Sequence, residues 1–147
     1  MQDRTMNPTQ QAESFRHTVA MEASPRRVWE ALTDGAQTPG YYINGAELTG
    51  EMRAGGRYAY MDGDREMVAG DILAVEPERL LDMTFEPIWA PAAISRNRFE
   101  IEPDGEGCRL TIVHYDLPSD QNGVKQGWRR IAASLKKMLA QDVQTPA

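Results

Sequence analysis

Two histidines are the residues of this sequence best suited to acid–base chemistry inside a protein. His17 lies two residues after Phe15, and His114 lies two residues after Ile112. A spacing of two is typical of side chains on the same face of a strand, here the apolar face. This spacing predicts that both imidazoles point toward the apolar side of their strands. Either each is a core histidine hydrogen-bonded to a neighbour, or the two act as acid and base in a cavity.

Asn97 is a third polar residue on an apolar face. It is in phase with Phe99 and Ile101, whereas Arg96 and Arg98 fall on the opposite face of the same predicted strand. A buried amide without a hydrogen bond is costly. Asn97 is therefore either satisfied by the surrounding structure or is one of the few polar groups that orient a ligand.

The sequence contains none of the local motifs that mark common enzymes. It has no Gly-x-Ser-x-Gly elbow, no glycine-rich phosphate loop and no His-Glu-x-x-His pair, and Cys108 is its single cysteine. The histidines also lack the spacing of a metal pair. We expect no metal site and no tightly bound cofactor. The missing motifs argue against an enzyme but leave the question open, because a cavity can still assemble distant residues into a catalytic site.

The charge balance limits the classes of partner. Sixteen Lys and Arg against 22 Asp and Glu give a net charge of −6 over 147 residues, which argues against nucleic acid and anionic membranes. No run approaches 18 consecutive apolar residues, and the first residues lack the apolar core of a signal peptide. We expect a cytoplasmic protein.

The chemistry-bearing residues lie on a predicted series of short strands. Apolar residues alternate over 15–21, 57–61, 66–75, 79–86, 94–102 and 108–115, with a weaker run at 46–49. Asp-Gly pairs at 62–63 and 104–105 predict hairpins. Because short turns join the strands, the sheet must be mostly antiparallel.

Helices are predicted on either side of this strand series. Ser24 is a good N-cap, Pro25 suits the first helical position, and the helix should end at Asp34-Gly35. A long amphipathic helix is predicted over residues 124–141, with Trp128 on its apolar face. Polar, aperiodic segments at 1–13 and 142–147 predict flexible tails around a single domain at 14–141.

Five sequence blocks resemble one known family. The segment at 24–34 resembles the P-x-x-V-W-x-A-L-T-D opening of SRPBCC (START-like) proteins, in the branch similar to the activator of heat-shock-protein-90 ATPase. Further blocks at 55–58, 70–80, 109–114 and 127–128 follow in the order and spacing of that branch. The resemblance covers residues 15 to about 140.

The resemblance implies an α+β helix-grip fold. In this fold a curved antiparallel sheet, here of six or seven strands, wraps around the long C-terminal helix, and two short helices follow the first strand. A cavity opens between helix, sheet and loops. Members of the family include binders of apolar small molecules, polyketide cyclases and aromatases, and co-chaperone domains, so the fold alone does not settle the function.

Any cavity lining must come from the inward side chains. The candidates are the polar residues above and the aromatic and thioether side chains in or near the predicted elements. The full set of candidate ligand-binding residues is His17, Trp29, Tyr58, Tyr60, Met83, Phe85, Trp89, Asn97, Phe99, His114 and Trp128. The apolar connection at 87–93 is interpreted as a portal lid, a dimer contact or a loop folded onto the core.

The sequence favours binding of a small, largely apolar molecule in this cavity, and two alternatives stay open. One is a cavity-based cyclase, hydratase or hydrolase that uses His17, His114 and Asn97 or a tyrosine. The other is a chaperone-associated or regulatory module that acts through its surface. A homodimer and a chaperone contact are the protein partners we consider.

Overall fold

The computed structural model describes residues 13–90, 94–117 and 122–144, and this part of the chain contains one sheet of seven strands and two α-helices. The strands are β1 (Glu13–Met21), β2 (Glu47–Gly50), β3 (Arg57–Asp62), β4 (Arg65–Glu76), β5 (Leu80–Pro87), β6 (Ser95–Asp104) and β7 (Gly107–Tyr115). The α-helices are α1 (Pro25–Thr33) and α2 (Asn122–Gln144). Two 3₁₀ turns, Thr38–Gly40 and Ile43–Gly45, lie between α1 and β2.

The strand order across the sheet is β1-β7-β6-β5-β4-β3-β2. All neighbouring strands are antiparallel, so β2 to β7 form a continuous meander. β1 pairs with β7 at one edge, and α1 with the 3₁₀ turns carries the chain across to β2 at the other. The predicted α+β architecture, with an antiparallel sheet, two short helices after the first strand and a long C-terminal helix, is confirmed.

Two features of the chain shape the sheet. The predicted hairpin turns contain Gly63 (φ 64°) and Gly105 (φ 62°), in the left-handed region that favours glycine. The strand register also shifts between Tyr60 and Met61 on β3, and between Ile72 and Ala74 on β4. Such irregularities bend a strand and increase its twist, and this gives the sheet a concave face for a helix.

The segment that follows β1 is held by caps and buried hydroxyls. The Ser24 Oγ accepts a hydrogen bond from the Arg27 amide (3.2 Å), which confirms the predicted N-cap. Farther on, the buried Thr38 Oγ1 donates to the Ala46 carbonyl (3.0 Å) and accepts from the Leu48 amide (2.9 Å). These bonds tie the 3₁₀ turns to β2 and so position them above the sheet.

Helix α2 lies across the concave face of the sheet. Its buried side chains include Trp128, Ile131, Leu135 and Leu139, as the apolar period predicts. The helix begins two residues before and ends three residues after the predicted 124–141, because the period marks the buried face rather than the last backbone turn. Neither helix that the structure describes is long and apolar enough to span a membrane.

The predicted tails fall mostly on residues 1–12 and 145–147, which lie outside the described residues. Glu13 already belongs to β1, and residues 142–144 belong to α2. The predicted loop at 87–93 is described only as far as Ala90. Within it, Pro87 ends β5, and the side chains of Ile88 and Trp89 are exposed.

Leu135→Ala should test the place of α2 in the core. The Leu135 side chain is fully buried, and truncation of such a residue leaves a cavity that costs about 2 to 5 kcal/mol in the free energy of unfolding. Urea denaturation measures this loss. Lys137→Ala, on the exposed side of the same helix, should change the free energy of unfolding by less than about 0.5 kcal/mol. Equal effects of the two substitutions would contradict the packing.

Candidate ligand-binding pocket

A pocket of about 380 Å³ opens between the first half of α2, the start of β4, the end of β5 and the second 3₁₀ turn. The helix contributes Ile131, β4 contributes Met67 and Val68, and the turn contributes Ile43. These walls come from three separate elements that the sheet curvature and the Thr38 hydrogen bonds bring together. Their side chains are apolar, so the interior favours apolar groups over water.

Three aromatic rings form the floor and one lip of the pocket. The rings of Phe85 and Trp128 are buried, with centroids 6.0 Å apart. The Trp89 ring stands edge-on to Phe85 at 6.5 Å and is 55% exposed. Aromatic surface therefore extends from the buried end of the pocket to its mouth, where an apolar molecule could contact it.

Glycines on α2 leave the space open. Gly123 and Gly127 both line the pocket, and a Cβ built on either would meet no atom within 4 Å. They are four residues apart, so they share one face of the helix. Because these two positions carry no side chain, the space in front of them stays open.

The polar lining lies at the rim. Asn44, Arg65, Gln126 and Arg130 all line the pocket, and all are exposed. The Asn44 amide donates a long hydrogen bond to the Met67 sulfur (3.8 Å). The pocket thus combines an apolar interior with a polar opening, which is the distribution usual in small-molecule sites.

His114 lies directly behind the floor and does not line the pocket. The Trp128 indole N–H donates to its Nδ1 (2.9 Å), and its Nε2 lies 2.7 Å from the Ser95 Oγ. Because an indole nitrogen can only donate, Nδ1 must be unprotonated. The neutral imidazole therefore carries its proton on Nε2, and this N–H donates a hydrogen bond to the Ser95 Oγ.

This environment keeps His114 uncharged. The side chain is fully buried, and burial lowers its pKa to about 4. A general base needs a free lone pair directed at its substrate. In His114 the Nδ1 lone pair is occupied by Trp128 and Nε2 acts as a donor, so this residue is arranged as a hydrogen-bonded core histidine.

Asn97 lies beside His114 in the sheet. It pairs in register with His114 on β7 and with Met83 on β5, and it is buried. Its amide nitrogen has no hydrogen-bond partner among the described residues. It does not line the pocket, and its role in orienting a ligand stays a prediction.

Three of the predicted cavity residues line the pocket, namely Phe85, Trp89 and Trp128. The others lie elsewhere. His17 is half-buried on β1 with its ring 6.1 Å from that of Phe15, and Trp29 is half-buried on α1. The residues buried in the core beyond the pocket are Tyr58, Tyr60, Met83, Asn97, Phe99 and His114.

The two strand tyrosines show why the space behind the pocket is filled. Tyr60 stacks on Tyr42 with ring centroids 3.8 Å apart and planes 5° apart. The Tyr58 hydroxyl donates to the Thr84 carbonyl (2.6 Å). Burial raises the pKa of both Tyr58 and Tyr60, so they are neutral phenols in a packed core.

A buried carboxylate and two half-buried arginines lie on the outer face of the sheet. Asp82 faces Arg96 (3.4 Å) and Arg98 (3.9 Å) across the strands, and burial raises the pKa of Asp82 against the opposing effect of these arginines. None of the three lines the pocket. Among the described residues, no group of three or more His, Cys, Asp or Glu could hold a metal ion.

Several lining residues are absent from the set predicted from the sequence, notably Ile43, Met67, Arg65, Gly127 and Arg130. The glycines at 123 and 127 are the one available signal, because two glycines on the same face of an amphipathic helix leave a gap in that face. No sequence pattern identifies Arg65 and Arg130 as lining residues, since they come from different elements that only the tertiary fold brings to one rim.

A curved antiparallel sheet that grips a long C-terminal helix and leaves a pocket at one end defines a helix-grip protein of the SRPBCC type. Within this class, the sequence matches the Activator of Hsp90 ATPase homolog 1-like protein family over residues 22–140. The chain belongs to that family, and the predicted resemblance is confirmed.

Solved structures agree with this assignment. CalU16 from Micromonospora echinospora is 25% identical with a TM-score of 0.68, over 88% of this chain and 76% of that one. MLL2253 from Mesorhizobium loti is 22% identical (TM-score 0.71; 86% and 98% covered). The Aha1 dimer from Colwellia psychrerythraea is 15% identical (TM-score 0.70; 85% and 94% covered). Comparison with curated proteins gives no significant match.

The depressed pKa of His114 should make stability depend on pH. The unfolded histidine titrates near 6.5, whereas the folded one stays neutral down to about 4. The unfolded state therefore takes up a proton in this window, and stability should fall by up to about 3 kcal/mol as pH drops through it. The slope of unfolding free energy between about pH 7 and about pH 5 measures the effect.

His114→Gln should flatten this slope, whereas His17→Gln should retain it because His114 is intact. The carboxylates are common to all three proteins, so the difference in slope isolates the histidine. NMR titration of the wild-type imidazole gives an independent check that does not depend on a variant folding. An imidazole that titrates near its ordinary pKa would contradict the buried neutral state.

Proposed function

We propose that this protein binds a small, largely apolar molecule in the pocket between α2 and the sheet. The observation that carries the proposal is the lining: an aromatic floor of Phe85 and Trp128, apolar walls and an open mouth at Trp89. The volume of about 380 Å³ falls in the range of about 300 to 1,000 Å³ common for small-molecule sites.

The proposal is one of binding rather than catalysis. The histidine nearest the pocket uses Nδ1 as an acceptor from Trp128 and Nε2 as a donor to Ser95, so it offers no free base to a ligand. The half-buried His17 does not line the pocket. This arrangement supports the binding function over the cyclase, hydratase or hydrolase alternative.

The surface-module alternative has its own motivation. Ile88 (46%) and Trp89 (55%) are exposed at the pocket mouth, and the structurally similar Aha1 of C. psychrerythraea is a dimer. A homodimer, a chaperone contact and a cytoplasmic location stay predictions for this chain. Light scattering across a concentration series tests the dimer, and a dimer that leaves the pocket accessible is compatible with ligand binding.

Gly127→Leu should block the pocket without unfolding the protein. A Cβ at this position meets nothing within 4 Å, and replacing a helical glycine with a better helix former favours the helix by up to about 1 kcal/mol. We expect the melting temperature to be maintained and the affinity for N-phenylnaphthylamine, an uncharged aromatic probe, to fall at least about tenfold. Fluorescence titration and thermal denaturation measure the two effects.

Ala133→Leu is the matched control, because Ala133 is exposed on α2 and does not line the pocket. It adds a leucine to the same helix and should leave probe affinity unchanged. Wild-type affinity in Gly127→Leu would overturn the proposed site. No measurable binding of the probe to the wild type would remove the main support for the binding function.

A further inference from the structure

We infer that the molecule bound in this pocket is an amphipathic organic anion, whose acidic group is held at the rim by Arg65 and Arg130 and whose apolar body lies on the aromatic floor. The inference rests on the proposed binding function and specifies its ligand class. It depends on the position of these two arginines and on their lack of partners among the residues that the structure describes.

The pocket lining is basic although the chain is acidic. Arg65 and Arg130 are its charged lining residues, and no Asp or Glu of the described chain lines it. The protein as a whole carries 22 acidic against 16 basic residues. A lining with two cations and no anion is therefore opposite in sign to the rest of the molecule, and such a local charge favours an anionic ligand.

The same two arginines differ from the other arginines of the surface. Arg57 pairs with Asp71 (2.9 Å) and Glu86 (3.0 Å), and the remaining described arginines have a salt bridge, a hydrogen bond or an aromatic ring as partner. Arg65 and Arg130 have no such partner among the described residues. Even Asp62, which pairs with Arg65 in the β3–β4 register, forms no ion pair with it.

Both arginines line the pocket and are exposed, so they lie at the open side from which an acidic group would emerge. Arg65 begins β4 and Arg130 lies on α2, so the cations belong to two different walls of one pocket. Both are exposed, whereas Phe85 and Trp128 below them are buried. A ligand that inserts its apolar end leaves its other end at the rim, where guanidinium groups bind carboxylate or sulfonate oxygens in a planar, often bidentate geometry.

Two probes with the same ring system test this inference. Anilinonaphthalene sulfonate carries an anionic group, and N-phenylnaphthylamine is the same aromatic body without it. Fluorescence titration of both is made on the wild type, on Arg65→Gln/Arg130→Gln and on Lys125→Gln/Lys137→Gln. The control pair removes two positive charges from α2 at positions that do not line the pocket.

In the arginine variant we expect the affinity for the sulfonate to fall about tenfold or more, because hydrogen bonds to a charged group are among the stronger ones even when water screens them. The affinity for the neutral probe should change by less than about twofold. The lysine variant should bind both probes like the wild type. Raising the salt from about 0.02 M to about 0.3 M should weaken sulfonate binding to the wild type more than to the arginine variant.

Each contrary outcome identifies which claim fails. If the wild type binds the neutral probe and the arginine variant binds the sulfonate unchanged, the pocket is a site but the anion inference is wrong. If the lysine variant loses sulfonate affinity as much as the arginine variant, the loss comes from the lower positive charge of the protein surface as a whole, and the inference is wrong. If neither probe binds the wild type, the proposed binding function fails together with the inference.

Discussion

The hydrogen bond from the Trp128 indole to His114 joins α2 to the sheet at the base of the pocket. Both groups are buried, so breaking this bond would leave polar atoms without water. The bond fixes the depth of the helix on the sheet and the orientation of the floor ring. It also determines the tautomer of His114, whose neutral state follows from its burial. The orientation of the floor ring and the tautomer of the histidine behind it therefore follow from one contact.

The concave face of the sheet is divided into a filled part and an open part. Toward β2 and β3, Tyr42 stacks on Tyr60 and the space is packed. Toward the first turns of α2, Gly123 and Gly127 present no side chain and the space stays open. The filled and the open parts thus face different stretches of one helix, so a substitution in the pocket lining need not disturb the core around Leu135.

The elements could be predicted from the sequence, but most of the pocket lining could not. Local patterns are sufficient for the Ser24 cap, the Asp-Gly hairpins and the inward faces of Asn97 and His114, since each depends on neighbours a few residues away. A period of two identifies the face of a strand but not the position along it at which the core ends. Tyr58 and Phe85 therefore look equivalent in sequence, although only Phe85 reaches the open space. Arg65 and Arg130 meet only through the tertiary fold.

The position of β1 beside β7 has a consequence for how the chain folds. The meander from β2 to β7 can form through successive short hairpins, but the Thr18 and Thr111 hydroxyls, 2.9 Å apart, come from positions separated by 93 residues. Closing so long a loop is slow and entropically costly. We therefore expect docking of β1 to follow formation of the meander. During synthesis, β1 would then leave the ribosome before the other strands of this sheet and be among the last of them to pair.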